Sequence, residues 1–413
     1  MTRKAVITVT VCVVAVKVVQ PFFDTSAGPG RSPQRRKKTE CGKSSFLEWA
    51  SSEMQGWRPA MEDATCIVEK LPGPLGQQAL FAVFDGHGGS QVSAIASREF
   101  PTVLAACARQ ALDEEVDRDR DSSGEINGQA VKETAGATVE CDADREKHSS
   151  EEPDSPKLAK AEAGKDDDRV CPPSHLGKAL HVAMLAMDSL LRRKGSNSVA
   201  VKPEPPALSL LGGQMEPSGK KSAYGLVGST AIVVLVDCGD GAAHRPRRLT
   251  VANCGDSRAV LCRKGKALEL SEDHKPELPA EEERIRKAGG HVAMIGPCHR
   301  IDGWGLNLSR ALGDFHYKAR SDLGPEEQKV IAVPEIQTLE LTEDDEFLLL
   351  GCDGIFELNT SQQAIDIVRE GYAGGLSTEK AVEGLVDQSC SPNLMKTRGK
   401  GGDNCSAIVV KLR

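Results

Sequence analysis

Two rhythms alternate along the 413-residue chain. Short unbroken apolar runs, ended by polar or glycine-bearing turns, predict buried strands at Thr65–Val68, Ala79–Phe84, Ala231–Val236, Leu249–Ala252, Ala259–Cys262 and Glu346–Leu350, and again from Cys405 to Val410. A 3.6-residue spacing of apolar positions predicts helices over Gln91–Leu112, His175–Lys194, Ala280–Ala288, Ser361–Glu370 and Thr378–Ser389. The three strands between Ala231 and Cys262 follow one another across short links, which favours antiparallel pairing over a βαβ crossover. Helices clustered between groups of strands make the expected fold class α+β, a sandwich.

Both rhythms stop in two places. From Asp113 to Arg169, 19 Asp/Glu stand against 9 Lys/Arg, and no aromatic residue occurs between Phe100 and Tyr224. Such a stretch buries too little apolar surface to offset the entropy of ordering, so residues 113–170 are expected to form a disordered acidic insert. This segment carries a net charge of −10 and the whole chain −8, so the remainder sums to +2. A near-neutral folded part lacks the basic face of a nucleic-acid binder, and no nucleic-acid partner is expected. Gly195–Lys221, punctuated by Pro203, Pro205, Pro206, Gly212, Gly213 and Pro217, is expected as a second, loop-like insert.

Ahead of Phe46, Thr2-Arg3-Lys4 and the apolar run Ala5–Val16 have the layout of a signal peptide, with small residues at Thr25-Ser26-Ala27 for cleavage. The run is too short for a stable membrane span. Arg35-Arg36-Lys37-Lys38 reads as a solvated linker or a nuclear address. Residues 1–45 are therefore expected to be a tail before a single domain, 46–413. Thirteen cysteines without paired metal-ligand spacing suit a reducing compartment. A secretory signal and reduced thiols are reconciled if the protein is exported and then works inside a reducing compartment or nucleus; the alternative is the cytoplasm or nucleus of its own cell.

The chemistry gathers where strands begin and end. Ala79–Phe84 closes on Asp85-Gly86-His87-Gly88-Gly89, Glu346–Leu350 closes on Gly351-Cys352-Asp353-Gly354, and Asp403-Asn404 opens the run from Cys405. Three carboxylates at strand borders repel one another unless cations hold them, which points to an oxygen-lined site for a hard divalent metal. Upstream, Arg58 suits a phosphate, and Glu62-Asp63 suit the orientation of metal-bound water.

These motifs belong to a longer series: Trp57-Arg58 with Met61-Glu62-Asp63-Ala64, Asp85-Gly86-His87-Gly88-Gly89, Gly228-Ser229-Thr230-Ala231, Asn253-Cys254-Gly255-Asp256-Ser257-Arg258, Asp273-His274-Lys275-Pro276, Leu308-Ser309-Arg310-Ala311-Leu312-Gly313-Asp314, Cys352-Asp353-Gly354-Ile355 and Asp403-Asn404. In that order they resemble the successive motifs of the metal-dependent protein serine/threonine phosphatases of type 2C, the PPM family. The wording Gly305-Leu306-Asn307-Leu308-Ser309-Arg310, the stretch Pro325-Glu326-Glu327-Gln328 and the acidic insert are most similar to the gamma isoform.

The resemblance implies a four-layer α/β/β/α sandwich, two packed antiparallel sheets flanked by helices, with two Mn²⁺ or Mg²⁺ ions at one edge and a third, weaker one. It implies that Asp85 bridges both metals, that the Gly86 carbonyl binds one, and that Asp353 and Asp403 bind the other. Glu62 and Asp63 would hold metal-bound waters, Thr230 and Asn404 would be outer hydrogen-bond partners, and Asp256 would join Asp353 at the third ion. The implied activity is hydrolysis of phosphoserine and phosphothreonine in protein substrates by a monomer, with Arg58 gripping phosphate and His87 as general acid. Arg310 and Asp314 are expected to be structural, Trp304 to pack, and Phe356 to replace the family's usual Trp conservatively. A pseudophosphatase that binds phosphoproteins without turnover would have lost an acid from this set, and none is lost.

Overall fold

The computed structural model describes residues 32–44, 47–124, 171–197, 222–239, 246–303 and 305–412, without the side chains of 114–124, 173 and 197. The signal-like run, most of the acidic and loop inserts, and Trp304 lie outside the described residues.

Five antiparallel strands form one sheet in the order Glu335–Glu340, Arg248–Cys254, Ala231–Asp237, Gln78–Phe84, Ala64–Val68. Six form the other, in the order Gln34–Lys43, Leu47–Gly56, Cys405–Leu412, Asp345–Gly351, Arg258–Arg263, Lys266–Glu269. The strand Gln78–Phe84 is apolar on both sides because both sides are buried. Ala79, Phe81 and Val83 join Ile232, Val234 and Val236 in the core shared with Leu349 and Ile408 of the six-stranded sheet. Leu80, Ala82 and Phe84 turn the other way, toward Phe100 and Leu104 of the helix Gln91–Gly124 and Leu180 and Met184 of the helix Pro173–Asn197. Each Val, Leu, Ile, Met or Phe among them contributes about 1.5–3 kcal/mol on full burial. On the far side, Ile365 and Val368 of the helix Ser361–Ala373 and Leu385 and Val386 of the helix Thr378–Ser389 cover the six-stranded sheet. The result is the expected four-layer α/β/β/α sandwich.

The strands Leu47–Gly56, Lys266–Glu269 and Glu335–Glu340 are not among those the sequence predicts, and three elements reach into stretches expected to be insert or tail. The first helix continues twelve residues beyond Leu112, to Gly124, into the stretch expected to be disordered. Glu and Arg are good helix formers, and propagation is cheap once earlier turns are docked. The second helix runs to Asn197, inside the expected loop insert. Arg35–Lys38 is not a solvated linker but part of the edge strand Gln34–Lys43, so the sheet begins at Gln34 and not after residue 45. This strand is held by polar contacts: Arg35 Nη2 donates to the Cys390 carbonyl at 2.9 Å, Lys37 Nζ to Asp387 at 2.7 Å, and Thr39 Oγ1 to Glu383 at 3.0 Å. Its cations also suit an edge that must resist pairing with another chain.

A small ribbon of Leu312–Gly313, Gly228–Ser229 and Gly86–His87 links the sheet end to the segment around Asp314. No described helix is long and apolar enough to cross a membrane. Every cysteine among the described residues is free.

Candidate metal centre

Both sheets deliver acids to one region. Glu62 and Asp63 precede the strand Ala64–Val68, Asp85 follows Gln78–Phe84, and Asp256 follows Arg248–Cys254. From the six-stranded sheet, Asp353 follows Asp345–Gly351 and Asp403 precedes Cys405–Leu412. Carboxylate oxygens of Asp63 and Asp85 and the Cys352 Sγ lie within 4.8 Å of one another.

The crowding shows in the proton affinities. Burial pushes Asp85 well above the usual carboxylate range, and the charges of Asp63, Asp353, Asp403 and Asp256 push it further. Asp353 is raised well above that range by burial, then by Asp256 and Asp403. Asp63 is pushed up to about 7, chiefly by burial, against hydrogen bonds from Ser406 and Cys352. Glu62 is raised by burial, with Arg58 and His87 opposing. Mutually repelling oxygen donors of this kind fit a divalent, oxygen-seeking cation.

Backbone and neutral side chains fix the acids in place. Thr230 Oγ1 accepts the Asp85 N–H at 3.2 Å and shares a 2.8 Å hydrogen bond with Ser257, while the Thr230 N–H donates to the Asp85 carbonyl at 2.9 Å. Asn404 Nδ2 donates to the carbonyls of Gln55 and Ala60 at 2.8 and 3.0 Å, and its Oδ1 accepts the Glu62 N–H at 2.9 Å. Both outer partners named from the sequence therefore hold the backbone of an acid. Ser406 Oγ donates to Asp63 at 2.8 Å. At Gly86 a Cβ would lie 2.2 Å from the Glu62 carbonyl, so glycine there lets two acid-bearing turns touch.

The remaining predicted residues rim this cluster. Arg58 is exposed, and its Nη2 pairs with Asp403 Oδ2. His87 Nε2–H donates to Asp314 Oδ2 at 2.6 Å. Burial disfavours the charged imidazole, but Asp314 outweighs it and the His87 pKa is raised. Asp256, 3% exposed, is paired with Lys275 Nζ at 2.5 Å, and so carries its own cation beside Asp353. Lys275 was not among the residues singled out; it stands two places after Asp273 in a motif that gives no sign of its partner. Cys352 is also new to the set. Burial, then Asp63 and Asp85, pushes its thiol well above the ordinary range, so the protonated Sγ donates to the Asn404 carbonyl at 3.4 Å and accepts the Ser406 N–H at 3.2 Å. It is a packed neutral spacer between acids rather than a thiolate ligand, which hard ions would not prefer.

Comparison with known proteins finds relatives along most of the chain. The family model for protein phosphatase 2C matches residues 47–156 and 213–397. A probable protein phosphatase 2C 58 from Oryza sativa subsp. japonica is 31% identical, covering 92% of this chain and 88% of its own. Protein phosphatase 2C 1 from Paramecium tetraurelia is 32% identical, covering 92% and 97%. Among solved structures, a phosphatase from a pathogenic strain of Toxoplasma gondii superposes with a TM-score of 0.57 at 22% identity, over 92% of this chain and 96% of that one, a likeness of fold.

Proposed function

The chain belongs to the protein phosphatase 2C family, and from that premise we propose that it is a metal-dependent enzyme hydrolysing phosphoserine and phosphothreonine in proteins. The observation that carries this reading is the meeting of Asp63, Asp85, Asp353 and Asp403 from the five-stranded and six-stranded sheets, where burial and neighbouring charge raise the first three, with Arg58 at the rim.

Asp85, the Gly86 carbonyl, Asp353 and Asp403 would hold two Mn²⁺ or Mg²⁺ ions, and Asp256 with Asp353 a third. Bound there, the ions offset the charge of a phosphomonoester dianion and lower the pKa of water. Glu62 and Asp63 orient that water through their oxygens. Arg58 leaves Asp403 to pair with non-bridging phosphate oxygens, for which its planar fork is suited. His87 gives a proton to the departing serine or threonine oxygen. Because its Nε2 is engaged by Asp314, Nδ1 is the ring nitrogen left to deliver it.

The pseudophosphatase alternative finds no support in the side chains: Glu62, Asp63, Asp85, Asp256, Asp353 and Asp403 all remain acidic. The gamma-like assignment rests on the Gly305–Arg310 and Pro325–Gln328 wording and remains part of this proposal. Phosphate release from a phosphothreonine peptide, with Mn²⁺ and again after EDTA, tests the reading. Release that EDTA abolishes is expected; release indifferent to EDTA would contradict it.

A further inference from the structure

The loop between Cys390 and Asp403 is closed by a set of its own hydrogen bonds and tied to the rest of the fold by others. The Asn393 side chain accepts the Lys396 N–H at 3.1 Å, the Gly399 N–H donates to the Leu394 carbonyl at 2.8 Å, and Thr397 Oγ1 donates to the Lys400 carbonyl at 2.6 Å. The Gly401 N–H donates to Glu357 at 2.7 Å, and the Ser391 N–H donates back to the Gly401 carbonyl at 2.9 Å. Trp57 Nε1 donates to the Ser391 carbonyl at 2.7 Å, tying the loop to the residue before Arg58.

This rigid loop presents Lys396, Arg398 and Lys400, all exposed. None of the three side chains has a hydrogen-bond or ion-pair partner among the described residues. Other cations around the site are engaged: Lys275 with Asp256, Arg258 with Asp273, and Arg284 and Arg310 with Glu281. Lys400 stands three residues before Asp403, which touches Arg58, so the backbone between them spans at most about 10 Å. An extended peptide advances roughly 3.3 Å per residue, so one whose phosphate sits at Arg58 can bring residues a few places away within reach of these charges.

We propose that the Lys396–Lys400 loop is a recognition surface for anionic side chains, carboxylates or further phosphates, lying about two to five residues from the phosphoresidue of a protein substrate. This rests on the phosphatase reading above and adds a substrate class to it. The loop's internal hydrogen bonds hold the three cations in place before substrate arrives, so little ordering entropy is lost on contact.

The test compares two phosphothreonine peptides in the presence of Mn²⁺, one with glutamates at flanking positions two to five on both sides and one with glutamines there. Exposed charge contacts are individually weak, so an advantage of about five-fold in kcat/KM for the glutamate peptide is expected at low ionic strength. It should shrink toward parity in 0.5 M salt, roughly where the Debye length falls to a few ångströms. The double variant Lys396→Gln/Lys400→Gln should lose most of the advantage, and Arg398, the third cation of the loop and present in both proteins, accounts for what remains. No preference in the wild type, or a preference undiminished in the double variant, overturns the inference alone. Failure of the wild type to release phosphate from either peptide overturns the phosphatase reading, and this inference with it.

Discussion

His87 Nε2 and Asp314 Oδ2 lie 2.6 Å apart across 227 residues of sequence, and Asp314 is fully buried. Asp314 sits in the left-handed backbone region, at φ 51°, with its N–H donating to the Val227 carbonyl at 3.0 Å. Its second oxygen, Oδ1, has no partner among the described residues, so His87 is the side chain that meets its charge. Gly228 makes room for the pair, since a Cβ there would lie 2.0 Å from Asp314 Oδ2 and 2.5 Å from His87 Nε2. Asp314 is thus a positioning residue for the proposed acid.

Asp314→Asn is expected to slow hydrolysis of a phosphothreonine peptide by about ten- to a hundred-fold, and His87→Ala by about 10²–10⁴. Both losses should be much smaller with p-nitrophenyl phosphate, whose leaving group needs little protonation. Equal losses on the two substrates would remove His87 from the acid role.

Asp353→Asn, like Asp85→Asn, should abolish metal-dependent phosphate release. In EDTA the same substitution replaces a buried acid whose proton affinity is raised by burial and by Asp256 and Asp403, a cost to folding at neutral pH, so the melting temperature should rise by a few degrees there. Differential scanning fluorimetry reads this directly. A lower melting temperature in EDTA would mean that the acid is stabilised by the protein rather than strained in it.

Gly354 holds two acid-bearing borders together. A Cβ at this position would stand 1.9 Å from the Asn404 carbonyl oxygen, a backbone atom with no rotamer to yield. Gly354→Ala should therefore cost on the order of 1–3 kcal/mol in urea unfolding, and weaken Mn²⁺ binding by moving Asp353 away from Asp403. A variant as stable as the wild type would show that these borders are looser than described.

His274 is buried, with its Nδ1 accepting the Gly255 N–H at 3.1 Å beside Asp256. Burial, aided by Arg310, pushes its pKa down to about 4 from the ordinary 6.5. Between those values the unfolded chain binds a proton that the folded one refuses. This contribution to stability is complete above pH 6.5 and is lost as pH falls toward 4, amounting to about 3 kcal/mol. Urea midpoints measured from pH 7.5 to 4.5 should fall in the wild type and fall less steeply in His274→Gln. Parallel slopes would contradict the burial of a neutral imidazole.

The sandwich was legible because its central strands are buried on both faces, so an apolar run such as Ala79–Phe84 announces itself by composition alone. The helix after Thr360 carries its own start signal, a capping box in which Thr360 and Gln363 exchange hydrogen bonds, and its N-terminus fell where the pattern placed it. Gln34–Lys43 escaped notice because, beyond its backbone pairing with Leu47–Gly56, its side chains meet the side chains and carbonyls of residues 383–390, and polar contacts to a remote helix leave no apolar alternation in the strand. In the site, the acids could be found as strand borders one at a time. What they are paired with could not: Asp314 with His87, Lys275 with Asp256 and the Cys352 thiol between Asp63 and Asp85 are tertiary encounters. No local spacing encodes them.

The most direct test of the central claim, that acids from both sheets form one shared divalent site, is calorimetric titration of the metal-free protein with Mn²⁺. The wild type should take up two ions per chain with release of protons from the raised carboxyls, and Asp85→Asn should lose that uptake while keeping its fold by circular dichroism. Unchanged stoichiometry and affinity in Asp85→Asn would contradict a shared site.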